Sequence, residues 1–137
     1  AELVEEAAAK ARRDGAQVDL ELPEEGMVLP VRADALRRCL GNLLDNARKH
    51  ARRIAIGLTR VPRGEAGAWA VVTVDDDGPG IPEEQRDEAF KPFASFSSGG
   101  TGLGLAIARD IARAHGGDNV LEDSPLGGLR ARVRLPV

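Results

Sequence analysis

The chain has 137 residues, 42% of them hydrophobic and 30% charged, with one cysteine and a net charge of −3 from nineteen basic and twenty-two acidic side chains. That length holds one ordinary domain, residues 1–137, and folding it buries about two-thirds of its surface, enough for a core without covalent staples. The single Cys39 excludes an internal disulfide. No apolar run approaches the roughly 18 residues that span a bilayer, and the acidic start Ala1-Glu2-Leu3-Val4-Glu5-Glu6 does not read as a secretory signal. The acidic balance, with aromatics at 3% and no tyrosine, argues against nucleic acid as a partner. The conspicuous feature is sixteen glycines, six of them between Gly78 and Gly104.

In chain order, Leu3 to Asp14 reads as an Ala-rich helix stopped by Gly15, and Gln17 to Leu22 as a strand with Val18, Leu20 and Leu22 inward. Met27 to Val31 is a short extended run. Asp34 is placed to N-cap a helix whose stripe, Leu36, Leu40, Leu43, Leu44 and Ala47, carries it to His50. Arg53 to Val61 and Trp69 to Val74 form a hairpin around Pro62-Arg63-Gly64-Glu65-Ala66-Gly67. Asp75 to Pro82 is an irregular glycine- and proline-rich stretch, and Pro82 to Ala89 suits a short helix. Ala94 to Gly100 is Ser/Gly-rich and reads as mobile. Gly102 to Ala114 is helical up to Gly116-Gly117, and Val120 to Glu122 and Leu129 to Leu135 are the last strands. Paired strands with three substantial helices predict an α+β two-layer sandwich: one mixed, mostly antiparallel sheet of about five strands, helices on one face.

Three stretches carry chemistry. In Gly41-Asn42-Leu43-Leu44-Asp45-Asn46-Ala47-Arg48-Lys49-His50, Asn42 and Asn46 share a helix face with Lys49 a turn beyond. Amide oxygens there can ligand a hard cation such as Mg²⁺, and the lysine can meet phosphate; an exposed amphipathic helix would show the same polar residues. Asp75-Asp76-Asp77-Gly78-Pro79-Gly80-Ile81-Pro82 follows a hydrophobic strand, so a carboxylate there can accept from an exocyclic amine while glycines admit a flat ligand. The other reading is an acidic turn, although calcium-loop spacing is absent. Gly99-Gly100-Thr101-Gly102-Leu103-Gly104-Leu105 opens a helix, where free backbone N–H groups and the helix dipole favour an anion.

Together, and in this order, these stretches resemble the catalytic and ATP-binding domain of sensor histidine kinases, members of the Bergerat-fold ATPase/kinase superfamily. Asn42 to His50 resembles the family's N box, Asp77-Gly78-Pro79-Gly80-Ile81 its first glycine box, Phe90-Lys91-Pro92-Phe93 its F box, and Gly100-Thr101-Gly102-Leu103-Gly104-Leu105 its second glycine box. The resemblance implies a protein-histidine kinase that binds ATP with Mg²⁺. Asn46 would hold the metal with Asn42 assisting, Lys49 would meet phosphate and His50 would lie beside the nucleotide. Asp77 would bind the adenine amino group, and the segment from Phe93 to Gly100 would close over the phosphates. It further implies a helical phosphoacceptor domain and a response regulator as partners. The domain itself would be monomeric and cytoplasmic, within a dimeric parent of the inner-membrane sensor kind.

Superfamily hydrolases place a glutamate general base one helical turn before the magnesium asparagine; here that position is Asn42, which favours phosphoryl transfer over hydrolysis. Neither His50 (before Ala51-Arg52) nor His115 (before Gly116-Gly117) fits the family's acceptor pattern, so the acceptor lies outside these residues. The lid Ala94-Ser95-Phe96-Ser97-Ser98-Gly99 carries no Lys or Arg, which leaves phosphate charge to Mg²⁺, Lys49, Arg48 and the helix start at Thr101-Gly102. A protein-serine kinase of the anti-sigma type and a nucleotide-sensing module of the same fold are the alternatives. His115 reads as a helix C-terminal residue suited to the dipole, and Cys39 as a small core side chain.

Overall fold

The computed structural model describes residues 2–22, 32–65, 67–90 and 104–137. The expected strand at Met27 to Val31 and the segment from Phe93 to Leu103 lie outside them. The elements are α1 (Glu2–Arg13), β1 (Gln17–Glu21), α2 (Ala33–His50), β2 (Arg53–Pro62), β3 (Ala68–Asp76), a 3₁₀ turn (Glu83–Gln85), α3 (Arg86–Ala89), α4 (Gly104–Ala114), β4 (Asp118–Asp123) and β5 (Leu129–Pro136). One five-stranded sheet has the order β1-β2-β3-β5-β4, with β1 parallel to β2 and every other pair antiparallel. This is the expected α+β architecture, and the sheet is mixed because β1 returns to β2 through α2.

Residues directly opposed across strands share a face. Ile54, Ile56 and Leu58 of β2 oppose Asp76, Val74 and Val72 of β3, and Val72 and Val74 oppose Val133 and Ala131 of β5. This face is buried and joins the apolar sides of α1 (Val4, Ala8, Ala11), α2 (Leu36, Leu40, Leu43) and α4 (Leu105, Ala108, Ala112) in one core. The opposite face stays open and carries Thr73, Arg130, Arg132 and Glu122, with Trp69 covered by the guanidinium groups of Arg134 at 4.8 Å and Arg63 at 5.1 Å. Cys39 packs in the core as expected, its Sγ 3.7 Å from the carbonyl of Ala108.

Three local expectations change. Helix α2 begins at Ala33 with Arg32 as its cap and no side-chain capping bond, so Asp34 sits inside the first turn. There its charge still complements the dipole, and its Oδ1 accepts from Arg37. Strand β3 runs on through Asp75 and Asp76, because both keep ladder partners on β2. The short helix after Pro82 is a 3₁₀ turn followed by the single turn of α3.

Candidate functional site

The site is built on α2. Burial of its leucine stripe against the sheet leaves Asn42 and Asn46 half-buried at the edge of the stripe, with Lys49 exposed. At Asn42 the start of α4 comes close: a Cβ on Gly104 would stand 3.5 Å from the Asn42 carbonyl oxygen and 3.8 Å from its Cβ. The structure therefore brings Gly104, and the buried Leu105 after it, onto the N-box helix. The Nδ2 of Asn42 is buried without a hydrogen-bond partner among the described residues, the kind of donor that is ordinarily satisfied. The backbone of His50 ends α2, and its side chain is outside the described residues, as are Phe93, Gly100, Thr101, Gly102 and Leu103.

No carboxylate of α2 shares this edge. Asp34 lies in the first turn, and Asp45 is exposed, paired with Arg48 at 3.7 Å. Asp45 and Arg48 both line a separate cavity of about 170 Å³ between α1 and α2, together with Lys10, Asp14 and Arg37. Arg48, expected as a phosphate contact, is thus turned to the α1 side. Among the described residues no cluster of three His, Cys, Asp or Glu side chains could hold a metal. The donors that fit Mg²⁺ here are neutral amides, which need the negative charge of a bound phosphate beside them.

The three consecutive aspartates serve three purposes. Asp75 points to the open face and takes both Nε and Nη2 of Arg130, at 2.7 and 3.0 Å; its hydrogen bond holds the Arg130 pKa above the usual value. Asp76, 4% exposed, lies on the helix-covered face opposite Ile54. Its Oδ1 accepts from the backbone N–H groups of Gly78 and Leu129, both at 3.0 Å. Asp77 is exposed, and its Oδ1 accepts from the N–H groups of Arg53 at 3.1 Å and Arg52 at 3.0 Å, where β2 begins. The Arg53 amide has the largest effect on the Asp77 carboxyl and holds it below its ordinary value; burial opposes it, and the Arg52 amide adds a lesser lowering.

The expectation gave adenine to Asp77, which the structure places on the exposed side. Its carboxylate ties the glycine loop to β2 from the outside, while Asp76 is the buried carboxylate on the helix side. Parity along β3 foretells the inward placement of Asp76: Val72 and Val74 point inward, so Asp76 does too. In the loop, Gly80 takes φ +71°, a conformation that favours glycine. Half-buried Ile81 packs on the core, and its carbonyl accepts from Arg86 Nε at 3.0 Å. Arg86, also unforeseen, extends its Nη2 to Asp123 at the end of β4. Phe90, where α3 ends, lies under the guanidinium of Arg109 at 4.1 Å, and His115 sets its Nδ1 2.8 Å from the Ile111 carbonyl at the end of α4.

A family profile described as histidine kinase-, DNA gyrase B- and HSP90-like ATPase matches residues 31–137. The chain is 50% identical over 105 residues to the sensor histidine kinase GtrS of Pseudomonas aeruginosa, covering 74% of this chain and 21% of that protein. It is 36% identical over 143 residues to the sensor histidine kinase CpxA of Escherichia coli, covering 99% of this chain and 30% of the other. Among solved structures, the mycobacterial sensor histidine kinase MprB superposes with a TM-score of 0.84 at 27% identity, covering 98% of this chain and 92% of that one. The ATP-binding domain of PrrB from Mycobacterium tuberculosis superposes with a TM-score of 0.75 at 32% identity, covering 98% and 91%. The chain spans roughly a fifth to a third of the length of these curated relatives.

Proposed function

The chain belongs to the histidine kinase-, DNA gyrase B- and HSP90-like ATPase family, and from that premise we propose that it is the nucleotide-binding part of a sensor histidine kinase. It binds ATP with Mg²⁺ and passes the γ-phosphoryl group to a histidine on a separate helical domain of a dimeric parent, for onward transfer to a response regulator. The observation that carries this reading is the site-facing edge of α2, which offers the amides of Asn42 and Asn46 and no carboxylate. An amide takes no proton from water at neutral pH, so this edge of α2 offers hydrolysis no base, whereas phosphoryl transfer needs positioning and charge neutralisation.

In this reading the amide oxygen of Asn46 ligands Mg²⁺, Asn42 assists, and Lys49 at the exposed end of α2 meets phosphate. Bound with ATP, Mg²⁺ supplies neutralisation of the phosphate charge. We assign the adenine amino group to Asp76 rather than Asp77, because Asp76 is the carboxylate buried on the helix side at the end of β3. Gly78, Gly80 and Ile81 form the adjoining wall, Gly104 and Leu105 at the start of α4 stand toward the phosphates, and Gly100, Thr101, Gly102 and Leu103 contribute to phosphate binding.

The test is incubation of the chain with labelled ATP, Mg²⁺ and the histidine-bearing helical domain of a relative. Acid-labile phosphohistidine on that domain, with negligible phosphate release by the chain alone, is the expected result. Acid-stable phosphoserine, or sustained hydrolysis by the isolated chain, would overturn the proposal.

A further inference from the structure

We propose that Gly128, in the turn between β4 and β5, is a positioning residue for nucleotide recognition: its missing side chain lets the β5 backbone close on Asp76 and hold that carboxylate in one orientation. The inference rests on the assignment of Asp76 to adenine. A Cβ on Gly128 would stand 2.2 Å from Asp76 Oδ1, 2.6 Å from the Gly78 nitrogen and 2.7 Å from the Asp76 carbonyl oxygen. Real Cβ atoms do not approach so closely, and none of these atoms is the free end of a flexible chain. Two are backbone, and Oδ1 is pinned by the amides of Gly78 and Leu129. The backbone of Gly128 is not in the left-handed region, unlike that of Gly127 with φ +102°. Space, not conformation, demands glycine at 128.

The surrounding bonds show what the close approach secures. The Gly128 N–H donates to the Asp76 carbonyl at 3.1 Å while Leu129, next in the chain, donates to its carboxylate. The Gly128 carbonyl accepts from Ser124 at 2.9 Å and abuts Gly80, whose own Cβ would stand 3.4 Å from it. Arg86 bridges the Ile81 carbonyl and Asp123. The β4–β5 turn, far along the chain from this loop, thus grips both ends of residues 76–81. A carboxylate so held needs no reorganisation when an exocyclic amine arrives, which is the source of affinity and selectivity in a preorganised site.

Because Asp76 would read the 6-amino group, the informative comparison is ATP against ITP, which carries a carbonyl oxygen at that position. Calorimetric titration of the wild-type chain, Asp76→Asn and Gly128→Ala with each nucleotide separates the possibilities. The expectation is that Asp76→Asn weakens ATP by about tenfold or more, the scale of one hydrogen bond to a charged group, and removes the preference over ITP. Gly128→Ala should do the same with Asp76 intact, ITP binding changing by less than about threefold. If Asp76→Asn keeps the preference, the adenine assignment fails and the inference with it. If Asp76→Asn loses the preference but Gly128→Ala keeps it, or weakens both nucleotides equally, the positioning role alone is overturned.

Should Gly128→Ala not fold, amide hydrogen exchange in the wild-type chain decides. ATP should slow exchange at Leu129 more than saturating ITP does, and equal protection would overturn the proposal.

Discussion

Asp76 and Asp77, one peptide bond apart, bind backbone amides on opposite sides of the same loop: Asp76 those of Gly78 and Leu129 next to β5, Asp77 those of Arg52 and Arg53 where β2 begins. Strand alternation sends the two side chains apart. The inner carboxylate is the one proposed above to read adenine, and the outer one anchors the loop.

Asp77→Asn should therefore lower the melting temperature modestly while leaving ATP affinity within about twofold, since the asparagine oxygen can still accept from both amides but lacks the charge that strengthens those bonds. The folded pKa of Asp77 lies below its ordinary 3.8. Its stabilisation is then fully present above that value and is lost as pH falls through the lowered one. Melts between pH 7 and 2, with and without the substitution, should converge at the acid end; a constant gap would show that the carboxylate charge contributes nothing.

Asn119 on β4 is fully buried opposite Val133, and neither its Oδ1 nor its Nδ2 has a partner among the described residues. Replacing a buried unsatisfied amide with an apolar side chain of similar size recovers about 1–3 kcal/mol. Asn119→Leu should raise the denaturation midpoint without changing the slope of unfolding against denaturant.

Gly41 sits in the interior of α2 with nothing within 4 Å of a Cβ and no left-handed backbone to justify it. Gly41→Ala should stabilise the chain by about 1 kcal/mol through helix propensity. No gain on chemical denaturation would mean that the residue is kept for another purpose, such as filling of the adjoining α1–α2 cavity by a partner.

Burial pushes the Cys39 thiol from 9.0 up to about 12, so no thiolate forms at ordinary pH. Iodoacetamide at pH 8 should leave Cys39 unmodified in the folded chain and alkylate it fully in denaturant, as read by mass spectrometry. Rapid native labelling would place the thiol at the surface.

Much of this was legible from local pattern. The leucine stripe of α2, the alternation of β2 and β3, and the glycine stops after α1 and α4 each follow from a period or a backbone preference carried by adjacent residues. The elements misjudged were those whose ends are set by partners elsewhere. Strand β3 reaches Asp76 because β2 offers Ala55 and Ile54 as ladder partners, and Asp34 does not cap α2 because the helix starts one residue before it. Arg48 has the charge for phosphate and stands beside Lys49, yet rotation about α2 pairs it with Asp45 on the α1 side.

The residue types, their order and their spacing determined the architecture, the family and the pair of α2 amides, because periodicity and short motifs are properties of neighbouring residues. Only the tertiary structure decided which of three adjacent aspartates faces the helices and why Gly128 must be glycine. Both depend on β5 closing over the end of β3, and an approach between backbones more than fifty residues apart leaves no trace in local sequence.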